Sequence, residues 1–180
     1  MRPDGTIERF KARLVIRGFT QKKDIDYFNT YSLVTKIATI IALIALAVIH
    51  DLIVHQMDVK TAFLNGDLEE DIYMSQPEGL VVQGQKNKVF KLKNSLYGLK
   101  QAPKQWYEKF NNTLVRNGYT VNNSDSCMYS EVFRSDCVII CLYVDDMLIL
   151  GNTLDVVNKT RELLSSNIEM QDLGEADVIL

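Results

Sequence analysis

The distribution of hydrophobic positions along the chain changes character several times, and each change predicts a different element. Polar and apolar residues alternate through residues 8–17, which predicts a half-buried strand. Residues 35–50 are apolar on nearly all sides and too long for a typical strand, so we predict a core helix behind a sheet. Two shorter apolar runs, at residues 138–142 and 147–150, are typical of neighbouring buried strands.

The remaining pattern adds strands and helices along most of the chain. A short strand ends near Asp58, and an acidic turn separates it from a strand at residues 72–74, so the two are expected to form a hairpin-like unit. Pro103 and Gly118 fit the first turn and the end of one helix, and Thr153 fits the N-cap of another. The other predicted segments are strands at residues 89–93, 126–132 and 137–143 and helices at residues 104–117 and 153–165.

Two adjacent carboxylates stand between the last apolar runs, in the sequence Tyr143-Val144-Asp145-Asp146. Neighbouring aspartates on a hairpin tip between buried strands repel each other, and a divalent cation would relieve that repulsion. Asp is also a favoured turn residue, so an Asp-Asp turn without chemistry is the alternative if no second feature supports a metal site.

A second source of carboxylate ligands lies upstream, where Asp58 stands near the end of its strand. Two-metal phosphoryl transfer needs carboxylates from separate strands, and Asp58 with Asp145 and Asp146 supplies such a set. Phe63 follows Asp58 by five residues and could lie beneath the sugar of an incoming nucleotide, where its bulk would exclude a 2′-hydroxyl. The alternative is that Phe63 is core packing and that Asp58 caps the end of the strand.

Five segments of the chain resemble, in the same order, segments of the reverse transcriptase domain of copia-type LTR retrotransposons. The segments are Lys11-Ala12-Arg13-Leu14-Val15 with Arg17-Gly18-Phe19-Thr20-Gln21, residues 56–66, Ser95-Leu96-Tyr97-Gly98-Leu99-Lys100-Gln101-Ala102-Pro103, residues 143–146 and Asp172-Leu173-Gly174-Glu175-Ala176. Each segment is weakly specific alone, whereas the ordered set covers nearly the whole chain and is very specific.

The resemblance implies an α/β (α+β) polymerase palm with partial fingers, in which helices pack on one face of an antiparallel sheet. It also implies an RNA-directed DNA polymerase that joins dNTPs to a primer 3′-hydroxyl with two Mg²⁺ ions, for which Mn²⁺ is an alternative. The implied catalytic residues are Asp58, Asp145 and Asp146, and these with Val59 would hold the metal. The implied nucleotide-binding residues are Lys11, Arg13, Arg17, Phe63, Tyr97, Gly98 and Gln101, and the implied nucleic-acid-binding residues are Lys91, Lys93, Lys100, Lys104 and Tyr143.

The same resemblance implies partners and surroundings. The partners would be an RNA or DNA template with its primer, dNTPs and the rest of a Pol polyprotein, including integrase and ribonuclease H. We expect residues 1–180 to form a single fragment of fingers and palm, truncated at both ends, without thumb or ribonuclease H. We also expect an intracellular protein of cytoplasmic particles, with nuclear access left open, that is neither secreted nor bound to a membrane.

The net charge of −3 argues against a generic basic nucleic-acid binder, but the charge is segregated along the chain. Residues 1–23 carry +5 and residues 86–109 carry +6, while the remainder carries −14. An acidic body with two basic segments suits a nucleic-acid cleft. For each segment taken separately, a solvated run of charge is the alternative. For Lys11, Arg13 and Arg17, the protection of an edge strand by charge is another.

The length of the apolar runs and the spacing of the cysteines argue against a membrane-spanning helix and against a cysteine metal site. The longest apolar run, residues 37–49, is shorter than the roughly 20 residues that a membrane span requires, so a buried helix is expected there. Cys127, Cys137 and Cys141 form no metal-ligand pattern. Cys137 and Cys141 are four residues apart on one face of a strand and are expected to be buried thiols.

Two other functions compete with a working polymerase. The first is a catalytically inactive retrotransposon remnant with only a structural or nucleic-acid-binding role. Leu33 and Ile41 favour it, because related proteins usually have proline and arginine there and the loss of that arginine could remove a buried polar link. The intact carboxylates oppose it. The second is a nucleotidyl cyclase or other palm-type enzyme, which would share paired carboxylates but would not be expected to carry Phe63 and residues 97–103.

Overall fold

The computed structural model describes residues 13–176, which fold into a mixed α/β structure. The helices of this part of the chain are α1 (Ile37–His50), α2 (Ala102–Arg116) and α3 (Leu154–Asn167). Its strands are β1 (Ile53–Val59), β2 (Tyr73–Ser75), β3 (Val89–Lys91), β4 (Thr120–Val121), β5 (Met128–Phe133), β6 (Asp136–Tyr143), β7 (Asp146–Gly151) and β8 (Met170–Glu175). Short 3-10 helices cover Gly18–Thr20 and Ala62–Asn65.

Six of the strands form one sheet in the order β4-β5-β6-β7-β1-β8, and every neighbouring pair is antiparallel. Strands β2 and β3 form a separate antiparallel pair. The hairpin of β6 and β7 lies in the middle of the large sheet, and β1 is hydrogen-bonded to β7. The predicted fold class is therefore confirmed, and the strands that carry the predicted carboxylates are neighbours.

The two faces of the large sheet pack against different helices, because side chains alternate between the faces along each strand. One face, which includes Met57, Ile140 and Ile149, packs against α2 and α3 in the larger hydrophobic core. The opposite face, which includes Leu148 and Leu150, packs against α1 in a smaller core. The prediction that the helices pack on one face is therefore right for α2 and α3 and wrong for α1.

Helix α1 occupies the predicted residues, but it is not a buried helix. Leu43 and Ala47 are its buried residues, whereas Ile37, Ile41 and Val48 are 66%, 62% and 79% exposed. The uniformly apolar sequence does not specify which side is covered, and the sheet covers only one stripe. We call the side formed by Ile37, Ile41 and Val48 the outer face of α1. Because residue 41 lies on this face, the loss of an arginine there removes no buried polar link from this chain.

The start of α1 is fixed by a carboxylate from another part of the chain. Asp125, which is buried, accepts hydrogen bonds from the Thr35 hydroxyl at 2.8 Å, the Lys36 backbone N–H at 3.1 Å and the Thr39 hydroxyl at 2.7 Å. The Cys127 backbone N–H donates to its other oxygen at 3.1 Å. Lys36, at the N-cap position, provides no side-chain cap of its own. Asp125 therefore satisfies the helix end that the local sequence leaves open.

Two strand predictions are wrong. Residues 13–17, the described part of the predicted strand at residues 8–17, lie outside the sheets, and a hydrogen bond of 2.8 Å joins the Ile16 N–H to the Tyr97 carbonyl. Strand β2 pairs with β3 and not with β1, so the predicted hairpin-like unit does not form. Both errors concern pairing partners, which the alternation of polar and apolar residues does not specify.

The predicted ends of α2 and α3 are confirmed. Pro103 lies in the first turn of α2, and Gly118 follows its last residues with a φ of 93°, which glycine adopts readily. The Thr153 hydroxyl accepts a hydrogen bond from the Val156 N–H at 3.4 Å and caps α3. Among the cysteines, Cys141 is buried as expected, whereas Cys137 is only partly buried.

Within residues 13–176, none of the helices has both the length and the apolar content needed to cross a membrane.

Candidate active site

The hairpin of β6 and β7 turns through only two residues, Val144 and Asp145, because Tyr143 and Asp146 form its last cross-strand pair. Val144 has a φ of 61°, which lies in the left-handed region and is rare for a β-branched residue. Such a backbone conformation costs about 1–3 kcal/mol and occurs often at functional sites. The backbone is therefore locally strained at Val144, the residue that precedes the predicted aspartates.

Strand β1 brings the third predicted carboxylate to this turn. Asp58 lies directly opposite Asp146 in the register of β1 and β7, and the Val59 N–H donates a hydrogen bond of 2.8 Å to the Asp145 carbonyl. The Cβ atoms of directly opposite residues in an antiparallel pair are about 4.5–5.5 Å apart. The fold therefore assembles Asp58, Asp145 and Asp146 from two strands and one turn, with Val59 beside them.

The electrostatics of the turn reflect this crowding of negative charge. Partial burial of the Asp146 carboxyl group raises its pKa, and the charges of Asp145 and Asp58 raise it further. A hydrogen bond from Gln56 lowers the same pKa and offsets part of the increase. The net shift is upward, although Asp146 is exposed. A cation at this position would remove the repulsion that adds to the effect of burial on this pKa.

The three aspartates fit a divalent cation in ligand type, charge and backbone position. Mg²⁺ prefers carboxylate oxygens, and it is commonly held by one or two carboxylates together with substrate phosphates. Within residues 13–176, no group of three or more His, Cys, Asp or Glu side chains is already arranged as a set of metal ligands. The fit therefore rests on the juxtaposition of the strands, and the side chains would have to turn toward a cation.

Three of the predicted nucleotide-binding residues form a cluster near these carboxylates. The rings of Phe63 and Tyr97 are 5.1 Å apart between centroids, and the Arg13 guanidinium lies 4.8 Å from the centroid of the Tyr97 ring. Burial raises the pKa of Tyr97, the charge of Arg13 lowers it, and the charges of Asp145 and Asp58 raise it. The charges of Arg13 and of the aspartates therefore both act on Tyr97. The net shift of its pKa is upward, so its hydroxyl stays protonated at neutral pH.

Phe63 lies in the short 3-10 helix that follows β1, and it is only partly buried. It packs against the larger hydrophobic core and against a second cluster of apolar residues that includes Leu96 and Leu99. The ring thus contributes to packing and also contacts Tyr97 beside the aspartates. Both roles considered for Phe63 from the sequence are compatible with this position.

Gly98 and Gln101 have structural roles that the sequence did not reveal. Gly98 has a φ of 96°, and a Cβ atom there would collide with the Ile16 carbonyl, so the backbone of residues 16–18 occupies the space that glycine provides. Gln101 is fully buried, and its amide accepts a hydrogen bond from Gln21 at 3.0 Å and donates one to the Asp26 carbonyl at 3.1 Å. The expected direct contact of Gln101 with a nucleotide is not compatible with this burial, because the amide already holds neighbouring loops.

Most of the predicted nucleic-acid-binding lysines have partners within the protein. Lys91 pairs with Asp71 at 2.6 Å and Lys104 with Glu108 at 3.1 Å. The hydrogen bond that the Lys91 ammonium donates to the Asp71 carboxylate raises the pKa of Lys91. The Lys100 ammonium donates to the Gln21 carbonyl at 3.0 Å and lies 4.9 Å from the Tyr27 ring centroid. Lys93 is exposed. Lys93 is therefore accessible to a nucleic acid.

The other predicted residues lie in three different settings. Arg17 lines a groove of about 700 Å³ between residues 14–21 and β2, and the three aspartates do not line this groove. Tyr143 ends β6 opposite Asp146 and is 40% exposed. Lys11 falls outside the described residues. Arg17 is therefore not brought to the aspartates, whereas Tyr143 is beside them.

Several residues that support the site were not singled out from the sequence. Trp106, on α2, donates its indole N–H to the Val144 carbonyl at 2.7 Å, and Gln56 is hydrogen-bonded to Asp146. Behind β1, Asp172 joins the buried His55 at 2.7 Å to Arg161 at 2.8 Å. The apolar spacing of Trp106, Phe110 and Leu114 on one side of a helix was the available signal for a core position, but it gave no indication of the hairpin contact.

The sequence was compared with protein families and with curated proteins. The family described as "Reverse transcriptase (RNA-dependent DNA polymerase)" matches residues 3–180. The chain is 50% identical over 178 residues to the "Retrovirus-related Pol polyprotein from transposon TNT 1-94" of Nicotiana tabacum, covering 98% of this chain and 13% of that protein. It is 38% identical to the "Retrovirus-related Pol polyprotein from transposon RE1" of Arabidopsis thaliana, covering 98% of this chain and 12% of that protein.

A yeast relative extends the similarity beyond plants. The chain is 33% identical to the "Truncated transposon Ty1-A Gag-Pol polyprotein" of Saccharomyces cerevisiae, covering 97% of this chain and 14% of that protein. The chain thus spans about an eighth of the length of these relatives. No solved structure matches it significantly. From the family match over nearly all its residues, and from its identity to Pol polyproteins, the chain belongs to the reverse transcriptase (RNA-dependent DNA polymerase) family.

Proposed function

We propose that this chain is the palm, with part of the fingers, of an RNA-directed DNA polymerase encoded within a retrotransposon Pol polyprotein. Its reaction would be the attack of a primer 3′-hydroxyl on the α-phosphate of a dNTP, with release of pyrophosphate. The observation that carries the proposal is the register of β1 and β7, which sets Asp58 opposite Asp146 with Asp145 at the adjoining turn. Carboxylates from separate strands at one point are what two-metal phosphoryl transfer requires.

The proposed metal ligands are Asp58, Asp145 and Asp146, with the backbone carbonyl of Val59 as an additional oxygen. Mg²⁺, when bound, would lower the barrier by activating the primer hydroxyl and by balancing the charge of the triphosphate. The raised pKa of Asp146 supports this assignment, because the repulsion by Asp145 and Asp58, which adds to the effect of burial, would be relieved by a cation.

The cluster of Arg13, Tyr97 and Phe63 is the proposed nucleotide side of the site. The Arg13 guanidinium would pair with phosphate oxygens, for which its planar set of N–H donors is suited. The protonated Tyr97 hydroxyl can donate a hydrogen bond to the nucleotide. Phe63, held against the Tyr97 ring, would restrict the space beside the sugar.

A primer-extension assay on an RNA template tests the reaction. It should use the longer Pol protein that carries this sequence, with the wild type compared with Asp145→Asn and Asp51→Asn. Asp51 is exposed at the other end of β1 with a φ of 53°, a conformation that Asn also adopts, so this control removes one charge without disturbing the fold. We expect Asp145→Asn to lose at least about 100-fold in rate and Asp51→Asn to keep wild-type activity. Equal activity of all three proteins would contradict the proposal.

Calorimetric titration with Mg²⁺ or Mn²⁺ tests the ligand set without a reaction. Replacing any one of Asp58, Asp145 and Asp146 by Asn should weaken binding by about tenfold or more, because each change removes a ligand oxygen and a negative charge. The Asp51→Asn control should bind like the wild type. Unchanged affinity in a folded Asp145→Asn variant would leave the hairpin as a turn without metal chemistry.

A further inference from the structure

The hairpin tip that carries Asp145 is held from two sides. The Asp145 carbonyl accepts the Val59 N–H at 2.8 Å, and the Val144 carbonyl accepts the Trp106 indole N–H at 2.7 Å. The first hydrogen bond comes from β1, which also carries Asp58, and the second comes from α2. The peptide groups before and after Asp145 are therefore both fixed, each by a different element.

The donor from α2 has a direction that packing determines. Trp106 is 2% exposed, and its ring contacts Phe110 at 5.7 Å between centroids with an interplanar angle of 50°. A buried indole usually finds a partner for its N–H, because an unpaired donor in the core is costly. The Val144 carbonyl is that partner. The hydrogen bond therefore pairs a buried donor and links α2 to the turn at the surface.

The turn needs such support because of its backbone. Val144 adopts a φ of 61°, which a β-branched residue disfavours. Without an external hydrogen bond, the two residues of the tip would be expected to exchange this conformation for less strained ones. Each alternative would carry Asp145 away from Asp58 and Asp146.

We propose that Trp106 is a positioning residue for the carboxylate site. Its indole N–H holds the strained turn in the conformation that sets Asp145 against the two neighbouring aspartates, and the side chain itself touches neither metal nor substrate. This inference rests on the proposed function for its importance to catalysis. The effect on the turn itself does not depend on that function and can be measured separately.

The test replaces Trp106 by Phe, which keeps an aromatic ring in the core and removes the donor. Hydrogen exchange of the Val59 amide, which donates to the Asp145 carbonyl, and of the Asp146 amide should accelerate by roughly three- to tenfold, as the loss of one hydrogen bond predicts. Mg²⁺ or Mn²⁺ affinity should fall by a similar factor. In the longer polymerase, kcat should decrease with little change in KM, because alignment is lost and nucleotide binding is not.

Tyr119→Phe is the matched control. Tyr119 is buried in the same hydrophobic core, and its hydroxyl forms a hydrogen bond of 2.8 Å with the Thr160 hydroxyl. This variant therefore also removes one buried hydrogen bond from an aromatic residue, but at a place that does not contact the turn. We expect it to lower Tm as Trp106→Phe does while leaving amide exchange at the tip and cation affinity unchanged. If both variants behave alike in all three measurements, the proposal is overturned.

A measurement on the wild type covers the case in which Trp106→Phe does not fold. Trp106 is the single tryptophan of the chain, so its indole N–H gives one assignable signal in an NMR spectrum. We expect this proton to exchange slowly and its signal to shift on addition of Mg²⁺, with the shift absent in Asp145→Asn. Exchange as fast as in a solvent-exposed indole would overturn the positioning role. Slow exchange without any response to Mg²⁺ would instead count against the proposed metal site and leave the contact with the turn intact.

Discussion

Asp146 carries its negative charge beside two others, and this sets the pH dependence of its contribution to folding. Its pKa is raised in the folded protein by burial and by Asp145 and Asp58, relative to about 3.9 in an unfolded chain. The ionised group therefore destabilises the fold above its folded pKa. This penalty grows as the pH rises from the unfolded pKa of about 3.9 to the folded pKa, and it vanishes well below the unfolded pKa, where the carboxyl group is protonated in both states.

We expect Asp146→Asn to raise Tm by about 1–3 °C at pH 7 in the absence of divalent cations, since opposed like charges cost a few tenths to 1 kcal/mol. The gain should vanish near pH 3, and Mg²⁺ should reverse it by stabilising the wild type alone. Thermal scans at both pH values provide the measurement, with Asp51→Asn as the control for lost charge. A gain of equal size at pH 3 would show that charge repulsion is not its cause.

Phe63 has the contacts of both a packing residue and a residue that restricts the sugar site. In the polymerase, Phe63→Ala should increase the ratio of kcat/KM for ribonucleotides to that for deoxyribonucleotides by at least about tenfold, because space for a 2′-hydroxyl opens. Phe63→Tyr keeps the ring and should preserve discrimination. Should Phe63→Ala leave this ratio unchanged in a folded protein, the ring serves packing only.

The three aspartates were predictable from the sequence, because an Asp-Asp pair between apolar runs and an aspartate at a strand end are local patterns. The contacts of Gln101, Gly98 and Trp106 were not. Gln101 is buried by segments some 75 to 80 residues away in the chain, and Trp106 reaches a turn 38 residues away. Contacts at such separations depend on the packing of elements, which residue spacing does not encode.

At the scale of elements, the two strands of the central hairpin were predictable from their apolar patterns, whereas the polar strand β8 was not. The hairpin of β6 and β7 has long apolar stretches, and both of its strands lie where the sequence indicated. Strand β8 has mainly exposed residues and includes Gly174 with a φ of 90°, so neither alternation nor propensity marks it. Strand β8 forms because one edge of β1 would otherwise have unpaired backbone N–H and C=O groups. The two strands pair despite a register shift between Gln56 and Met57.

Helix α1 shows how one distant carboxylate can determine the stability of an element. Burial alone would raise the pKa of Asp125, but hydrogen bonds from Thr39, Lys36, Thr35 and Cys127 outweigh it, and the net shift is downward. The stabilisation is therefore complete above the ordinary pKa of about 3.9 and is lost as the pH falls through the lower folded value.

Asp125→Ala should lower the free energy of unfolding by about 2–4 kcal/mol at pH 7, because it leaves a buried hydroxyl and the start of α1 without an acceptor. Urea denaturation gives the value. Asp155→Ala, in the exposed first turn of α3, is the control and should cost about 0.3–1 kcal/mol through the helix dipole alone. Similar losses in the two variants would mean that Asp125 does not anchor α1.

At the scale of the whole molecule, the segregation of charge seen in the sequence is only partly available for nucleic-acid binding. Lys91 and Lys104 are in ion pairs and Lys100 is held in a loop contact, whereas Lys93 is exposed. The count of basic residues in a segment therefore overstates the number of charges that can meet phosphates.

Lys93→Ala should reduce the slope of log affinity against log salt concentration by about 1 for a primer and template, because one phosphate contact is lost. Lys104→Ala should leave the slope unchanged, since the ammonium group is committed to Glu108. Fluorescence anisotropy over a range of salt concentrations measures both slopes. Equal slopes for Lys93→Ala and the wild type would exclude Lys93 from the binding surface.

The outer face of α1 has a practical consequence for anyone who purifies residues 1–180 alone. A contiguous exposed apolar surface promotes non-specific association, so colloidal behaviour and not folding is expected to limit the usable concentration. The double variant Ile41→Gln and Val48→Lys should lower light scattering at high concentration while changing the free energy of unfolding by less than about 0.5 kcal/mol per site. If scattering persists, another surface is responsible. If scattering falls, two substitutions on one helix allow the chain to be studied at the high concentration that NMR of its single tryptophan requires.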